Sequence, residues 1–215
     1  TQAGIAALNH YHQLKGNLTA VDSGLLPNTY KHTWPIPQDT PLVSLLIPTR
    51  DNYLLLKNCI ESILEKTSYT NYEILILDNG SICSEVKSYL SVIEAEKRVK
   101  VCEYNKPFNY SEINNYGSKL AKGEILALLN DDIEVINNEW LSEMVSHVVR
   151  SEIGCVGAKL YYPNETIQHA GVVLGIGGVA GHGHKYLSRN AHGYTKLFNF
   201  KPERSRNIQK IYLKD

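Results

Sequence analysis

Apolar and polar positions follow two rhythms along this chain, and the change from one to the other marks its elements. Leu42 to Ile47 is a compact apolar run closed by Pro48, the pattern of a strand buried on both faces. From Tyr53 to Lys66, Leu56, Ile60, Ile63 and Leu64 recur at helical spacing and make one apolar stripe. Glu73 to Leu77 is a second buried run, so strand, helix and strand fill the length of a right-handed βαβ unit. The alternation repeats: Val86, Leu90 and Ile93 mark a helix, Val99 to Cys102 a strand, and Ile113, Tyr116, Gly117 and Leu120 another helical face ending at Gly123 as C′ residue. Ile125 to Leu129 makes a further strand, and Leu141, Met144, Val145 and Val148 the helix after it. The expected fold is α/β, a mostly parallel sheet with helices on both faces.

Residues 1–41 are set apart: a helical candidate from Ile5 to Leu14 precedes Pro27, Pro35, Pro37 and Pro41, whose fixed φ and missing donors disfavour regular structure. They read as an N-terminal lead-in or linker, with the α/β domain at 42–215. Thr1 stands where an initiator Met is expected and Ile208 to Leu213 resembles a strand beginning, so the chain reads as part of a longer protein, truncated at its C-terminus.

Lys+Arg and Asp+Glu each total 22, which leaves no basic field for nucleic acid or an anionic membrane, and any anionic ligand must be held locally. Cys59, Cys83, Cys102 and Cys155 form no C-x-x-C pair and read as reduced, buried thiols of a cytoplasmic protein. No apolar run is long enough to span a membrane and no export signal is recognisable. The N-x-[ST] triplets at Asn17, Asn109 and Asn164 are ascribed to chance.

In an open α/β sheet ligands bind beyond the carboxyl ends of the strands. Three such ends are polar here: Pro48-Thr49-Arg50-Asp51-Asn52, Asp78-Asn79-Gly80-Ser81 and Asn130-Asp131-Asp132. The second can be an ordinary turn as readily as a site. Helix capping explains Asp131 and Asp132 poorly, because the next helical pattern begins several residues later. Adjacent carboxylates repel unless solvated or shared with a cation, and hard oxygen ligands suit Mg²⁺ or Mn²⁺ completed by a substrate diphosphate.

Gly175-Ile-Gly-Gly-Val-Ala180 matches the dinucleotide fingerprint literally, but the Gly181-His-Gly-His that follows does not open the helix a pyrophosphate requires, and a loop over the sugar site is preferred. His182 and His184, at spacing that shares one side of a strand, and His169 upstream could suggest zinc. No cysteine or acid completes that set, so they are assigned to a sugar or acceptor loop, with ordinary exposed histidine an open alternative for His184.

Pro41 to Arg50, Ile74 to Ser81, Asn114-Asn-Tyr-Gly117 and Leu128 to Asp132, in this order and spacing, resemble the family 2 glycosyltransferases of the GT-A fold over roughly residues 40–190. Phe108 to Ser111, Gln168 to Gly171 and Gly181 to His184 are similar to bacterial enzymes of O-antigen and related surface-polysaccharide assembly, rhamnosyltransferase-like ones included. The resemblance implies a metal-assisted, inverting transferase taking a sugar from a UDP- or dTDP-linked donor to a saccharide or lipid-linked saccharide acceptor, at the inner face of the membrane and helped by other domains of its parent chain. It places Pro48, Thr49 and Arg50 near the nucleotide, Asp78 on the base, and Asn115 and Gly117 along the nucleotide-sugar pocket. Asp131 would approach the ribose or sugar and Asp132 would ligate the metal. Leu129 stands where the commoner family pattern has an acid, so coordination rests on fewer carboxylates. The family's catalytic base would lie beyond Asp215, and the isolated chain is expected to bind donor yet transfer poorly. A sugar nucleotidyltransferase is disfavoured because the loop after the first strand has no glycine. A non-catalytic nucleotide- or carbohydrate-binding module of a larger enzyme is the other alternative.

Overall fold

The computed structural model describes residues 1–24, 28–175, 178 and 180–189, with two further strands at 205–206 and 210–213 described for their backbone alone. Its centre is a six-stranded sheet in the order β5-β4-β3-β6-β14-β8. The first four are β3 (Val43–Thr49), β4 (Tyr72–Asp78), β5 (Val99–Glu103) and β6 (Ile125–Leu128), with β5 at the edge, joined by the parallel pairs β3·β4, β3·β6 and β4·β5. β14 (Lys210–Leu213) runs antiparallel to β6, and β8 (Cys155–Val156) pairs antiparallel with β14. Of the strand expected at Ile208 to Leu213, Lys210–Leu213 enters the main sheet beside β6, while 208 and 209 lie outside the described residues. Pro48 sits inside β3, past Leu46↔Leu128, the last residue pair shared with β6, where its missing donor costs that ladder nothing.

Period-two alternation along the central strands decides which helix covers which face. Val43, Leu45 and Ile47 of β3 and Ile74 and Ile76 of β4 pack against α2 (Tyr53–Lys66), α3 (Ser84–Ile93) and α5 (Trp140–Val148), chiefly on Leu56, Ile60, Ile63, Val86, Leu141 and Val145. Leu46, Leu75 and Leu77 face the other way, onto Ile113 and Ala121 of α4 (Tyr110–Leu120) and its end. The expected helices on both faces are present.

Two local reasons differ from expectation. The helix before β6 ends at Leu120 with Ala121 extended as its cap, so Gly123 is no C′ residue. A Cβ at Gly123 would lie 2.6 Å from Leu42 O and 2.7 Å from Ser44 N; the glycine is there because two backbones touch. Of the four free cysteines, Cys59 and Cys102 are buried as expected, but Cys83 is half-buried and Cys155 exposed.

Residues 1–41 carry more structure than their prolines suggested. α1 (Gln2–Leu14) packs on a hairpin of β1 (Ala20–Ser23) and β2 (Tyr30–Thr33), whose strands avoid every proline. Asn9 clamps Val21: its Oδ1 accepts from Val21 N at 3.2 Å and its Nδ2 donates to Val21 O at 3.5 Å. His12 Nε2 meets His32 Nδ1 at 3.0 Å, and Trp34 stacks edge-on to His12 while the Arg150 guanidinium lies 3.7 Å from the Trp34 centroid. Burial, then the neighbouring His12, hold His32 below the usual imidazole range. A lowered folded pKa for a base stabilises the fold above the unfolded value, about 6.5, and that contribution is lost as pH falls through the folded value. Thermal unfolding between about pH 7.5 and 5 is expected to show a fall in midpoint that His32→Asn reduces; an unchanged pH profile in the variant would count against it.

Candidate active site at the strand tips

The polar tips of three parallel strands, β3, β4 and β6, lie side by side, and α2 braces the turn after β6. Thr49, the last residue of β3, is buried and its Oγ1 donates to Asp131 Oδ2 at 2.7 Å, bridging β3 to the turn after β6. In the same register Thr49 stands opposite Asp78, the last residue of β4. Cys59 of α2 donates through Sγ to Asn130 O at 3.7 Å, and Ser62 Oγ accepts from Val135 N at 3.1 Å, which fixes both ends of the Asn130–Val135 segment on one helix. Helix α5 starts only at Trp140, so Asp131 and Asp132 cap nothing.

The two acids are unlike. Asp131 is half-buried and Asp132 exposed. Burial raises the Asp131 carboxyl above its usual range, the Thr49 hydrogen bond opposes that, and the Asp132 charge adds to it. Burial, with the charges of Asp131 and Asp132, likewise pushes the Cys59 thiol up, so it stays protonated beneath the turn.

Asp78-Asn79-Gly80-Ser81 does make a turn: Asp78 Oδ1 accepts from Ser81 N at 3.0 Å and Gly80 has φ +69°. The turn is also anchored, since Asn79 Nδ2 donates to Tyr104 O at 3.0 Å and Lys106 O at 2.8 Å. Asp51, which sequence reasoning placed in the loop without a role, joins this turn to the β3 tip. Its φ is +55°, its N donates to Ser81 Oγ at 3.1 Å, and its Oδ1 accepts from Ile82 N at 2.7 Å and Cys83 N at 2.8 Å, ahead of α3. The Cys83 amide, with that of Ile82 and the nearby Arg50 and Lys87 charges, holds the Asp51 carboxyl low against the desolvation that opposes it. Pro48 is half-buried in β3, while Arg50 is exposed, 3.9 Å from Asp51.

The α4 residues divide. Asn115 is exposed, whereas Asn114 is buried, donating through Nδ2 to Tyr110 O at 2.8 Å with its Oδ1 unpartnered; Asn79 Oδ1 is likewise buried and unpartnered. Gly117 belongs to packing: a Cβ there would lie 2.7 Å from Leu77 Cδ1 and 3.4 Å from Leu46 Cδ1, which puts it against the core.

The histidines form a separate arrangement. β11 (Val172–Leu174) is followed by β12 (Ala180–His182), its antiparallel partner, so no pyrophosphate-binding helix follows Gly175; 176, 177 and 179 lie outside the described residues. His182 meets His169 of β10 (Ile167–His169), Nδ1 to Nδ1, at 2.8 Å. His184 falls beyond β12 at φ +62°, so the shared strand side expected of His182 and His184 is not formed. Among the described residues no three His, Cys, Asp or Glu side chains converge as a metal cage. The donor set at the strand tips still fits a hard divalent cation held chiefly by diphosphate and water, because the exposed Asp132 carboxylate is open to it and Asp131 stands beside it.

The centrally parallel sheet, covered on both faces and carrying hydroxyl and carboxylate groups at its strand tips, defines an α/β fold of the kind that places sites at that edge. The chain belongs to glycosyl transferase family 2, whose model matches residues 44–209. An uncharacterized protein of Sinorhizobium fredii is 48% identical over 195 residues, 90% of this chain and 21% of that protein. The O-antigen biosynthesis protein RfbC of Myxococcus xanthus is 40% identical over 182 residues, 85% of this chain and 14% of the relative. The chain thus spans about a fifth or less of these two relatives. The mannosyltransferase PcManGT from Pyrobaculum calidifontis, solved with GDP-Man and Mn²⁺, superposes with a TM-score of 0.53 at 18% identity, covering 74% of this chain and 44% of that one, a likeness of fold. Among the described residues no helix is long and apolar enough to cross a membrane.

Proposed function

We propose that this chain holds the nucleotide-diphosphate sugar, UDP- or dTDP-linked, of an inverting glycosyltransferase that extends a bacterial surface polysaccharide. The observation that carries the reading is the Thr49 to Asp131 bridge, which sets an acidic turn directly beside the tip of the central strand. Membership of family 2 and the likeness to an O-antigen biosynthesis protein support the reaction class and setting. PcManGT, solved with GDP-Man and Mn²⁺, supports a diphosphate-sugar donor and a divalent cation.

In this reading Asp132, with Asp131 beside it, would hold Mg²⁺ or Mn²⁺. Such an ion would supply neutralisation of the charge that grows on the departing diphosphate. The chain's own groups do the positioning. Thr49 fixes the Asp131 rotamer, so that its second oxygen is left for a ribose or sugar hydroxyl. Asp51 ties the β3 and β4 tips into one wall, against which Asp78 faces the base. Alignment of donor and acceptor by such fixed groups lowers the barrier by removing orientational freedom before reaction. Arg50 and Asn115, both exposed, are left to contacts at the rim of the site.

Calorimetric titration of UDP, dTDP and GDP, each with and without Mn²⁺, tests the reading. Binding of UDP or dTDP in the range of about 1 µM to 1 mM, strengthened by Mn²⁺, is expected. Absence of binding by both in either condition, with or without a response to GDP, would refute it.

A further inference from the structure

Outside the strand tips, aromatic side chains gather at one surface. Tyr162, Pro163, Asn164 and Tyr186 line an open cavity of about 390 Å³. The Tyr162 and Tyr186 rings are parallel, with centroids 5.6 Å apart and planes 8° from each other, and Tyr186 is 67% exposed. The Lys185 ammonium lies 5.1 Å from the Tyr186 centroid, close to both phenols. Asn164 Oδ1 accepts from Thr166 N at 3.2 Å and Thr166 Oγ1 at 2.7 Å, bonds that leave its amide NH₂ to face outward.

The backbone here is held at a cost. Among the described residues five non-glycines have left-handed φ; Tyr186 lines this cavity, and Glu165 and His184 lie within two residues of its lining. Tyr186 keeps its φ of +67° because its N donates to Ile167 O at 2.8 Å while Ile167 N donates to Leu187 O at 2.8 Å. A bulky aromatic in that conformation is strained, and a large apolar ring left mostly in water gains nothing from burial. Fold stability therefore does not account for Tyr186.

We propose that Tyr186, with Tyr162, Pro163 and Asn164, forms a docking platform for a pyranose ring of the acceptor saccharide. The C–H face of a pyranose carries partial positive charge and is apolar, so it suits the electron-rich face of a tyrosine. Its equatorial hydroxyls need donors and acceptors at the rim, which the Asn164 amide, the Lys185 ammonium and the two phenols supply. The open surface leaves the outer face of the Tyr186 ring accessible to a sugar ring. It also lies on the side of the fold reached from the acidic turn: β13 (Ser205–Arg206) pairs with β7 (Glu134–Val135), two residues past Asp132, and packs against β9 (Leu160–Tyr161), which leads into Tyr162. Calling the bound sugar an acceptor rests on the transferase reading above; the platform itself does not.

Saturation-transfer NMR with methyl α-rhamnoside, methyl α-mannoside and methyl β-glucoside, run beside UDP with Mn²⁺, tests the platform. Transfer to the ring C–H protons of at least one glycoside is expected, and Tyr186→Ala should weaken it at least tenfold while UDP binding is unchanged. Asn164→Asp keeps the Thr166 bonds and removes the outward donor, so it should weaken glycoside binding with the thermal midpoint retained. No transfer from any glycoside, unchanged transfer in a folded Tyr186→Ala, or loss of UDP binding in that variant would each overturn the proposal. Glycoside binding that persists in a chain failing to bind UDP, dTDP or GDP would refute the donor-site reading alone.

Discussion

Replacing Gly123 by alanine is expected to destabilise the protein by about 3 kcal/mol, near the upper end of what an added methyl costs in a packed interior. The added Cβ would meet Leu42 O at 2.6 Å and both Ser44 N and Ser44 Oγ at 2.7 Å. Backbone of a central strand cannot step aside as a side chain can. The same shift would break the buried bond from Gly123 N to Ser44 Oγ, 2.8 Å, part of a chain in which Ser44 Oγ donates to Glu73 Oε1 at 2.6 Å and Lys122 N donates to the same oxygen at 2.7 Å. That network joins β3, β4 and the approach to β6, so strain at Gly123 reaches the strands that carry the site. Gly154, with nothing within 4 Å of its would-be Cβ, is the control: Gly154→Ala should be neutral or gain a few tenths of a kcal/mol. Urea unfolding of both variants measures the difference, and equal midpoints would show that the close approach does not matter.

The reason for Gly123 was invisible in sequence because a C′ glycine and a close-contact glycine look alike in a string. The parallel core was legible because β3, β4 and β6 are covered on both faces, which forces continuous apolar runs such as Leu45-Leu46-Ile47 and Ile74 to Leu77. The elements that escaped lack that pressure: Val172, Val173 and Leu174 of β11 are all exposed, and β1 and β2 show one buried side chain between them. At α4 the helical period accounts for which asparagine is exposed and which is buried. Ile113, Gly117 and Leu120 set the buried stripe, Asn115 falls opposite it, and Asn114 at its edge is the residue drawn inward. Asp51 left no signal, since its part depends on a left-handed backbone and on two amides some thirty residues away.

Asp132→Ala is expected to abolish the Mn²⁺-dependent part of nucleotide binding, a loss of at least about 100-fold, because even partners one step removed from a metal are worth 10–100-fold. The variant should fold as the parent does, since the Asp132 side chain is exposed and caps no helix. Thr49→Val sharpens the reading. Valine fills the same space but cannot donate to Asp131 Oδ2, so Asp131 stays in place as a half-buried carboxylate without its hydroxyl partner. An unmade hydrogen bond to such a charged group costs roughly 1–3 kcal/mol, which corresponds to about a tenfold to hundredfold weakening. The two variants should differ in kind: Thr49→Val weakens nucleotide binding yet leaves Mn²⁺ able to strengthen it, whereas Asp132→Ala removes that strengthening. Titration of each with UDP, with and without Mn²⁺, reads both effects, and an Asp132→Ala protein whose binding still responds to Mn²⁺ would move the cation away from this turn.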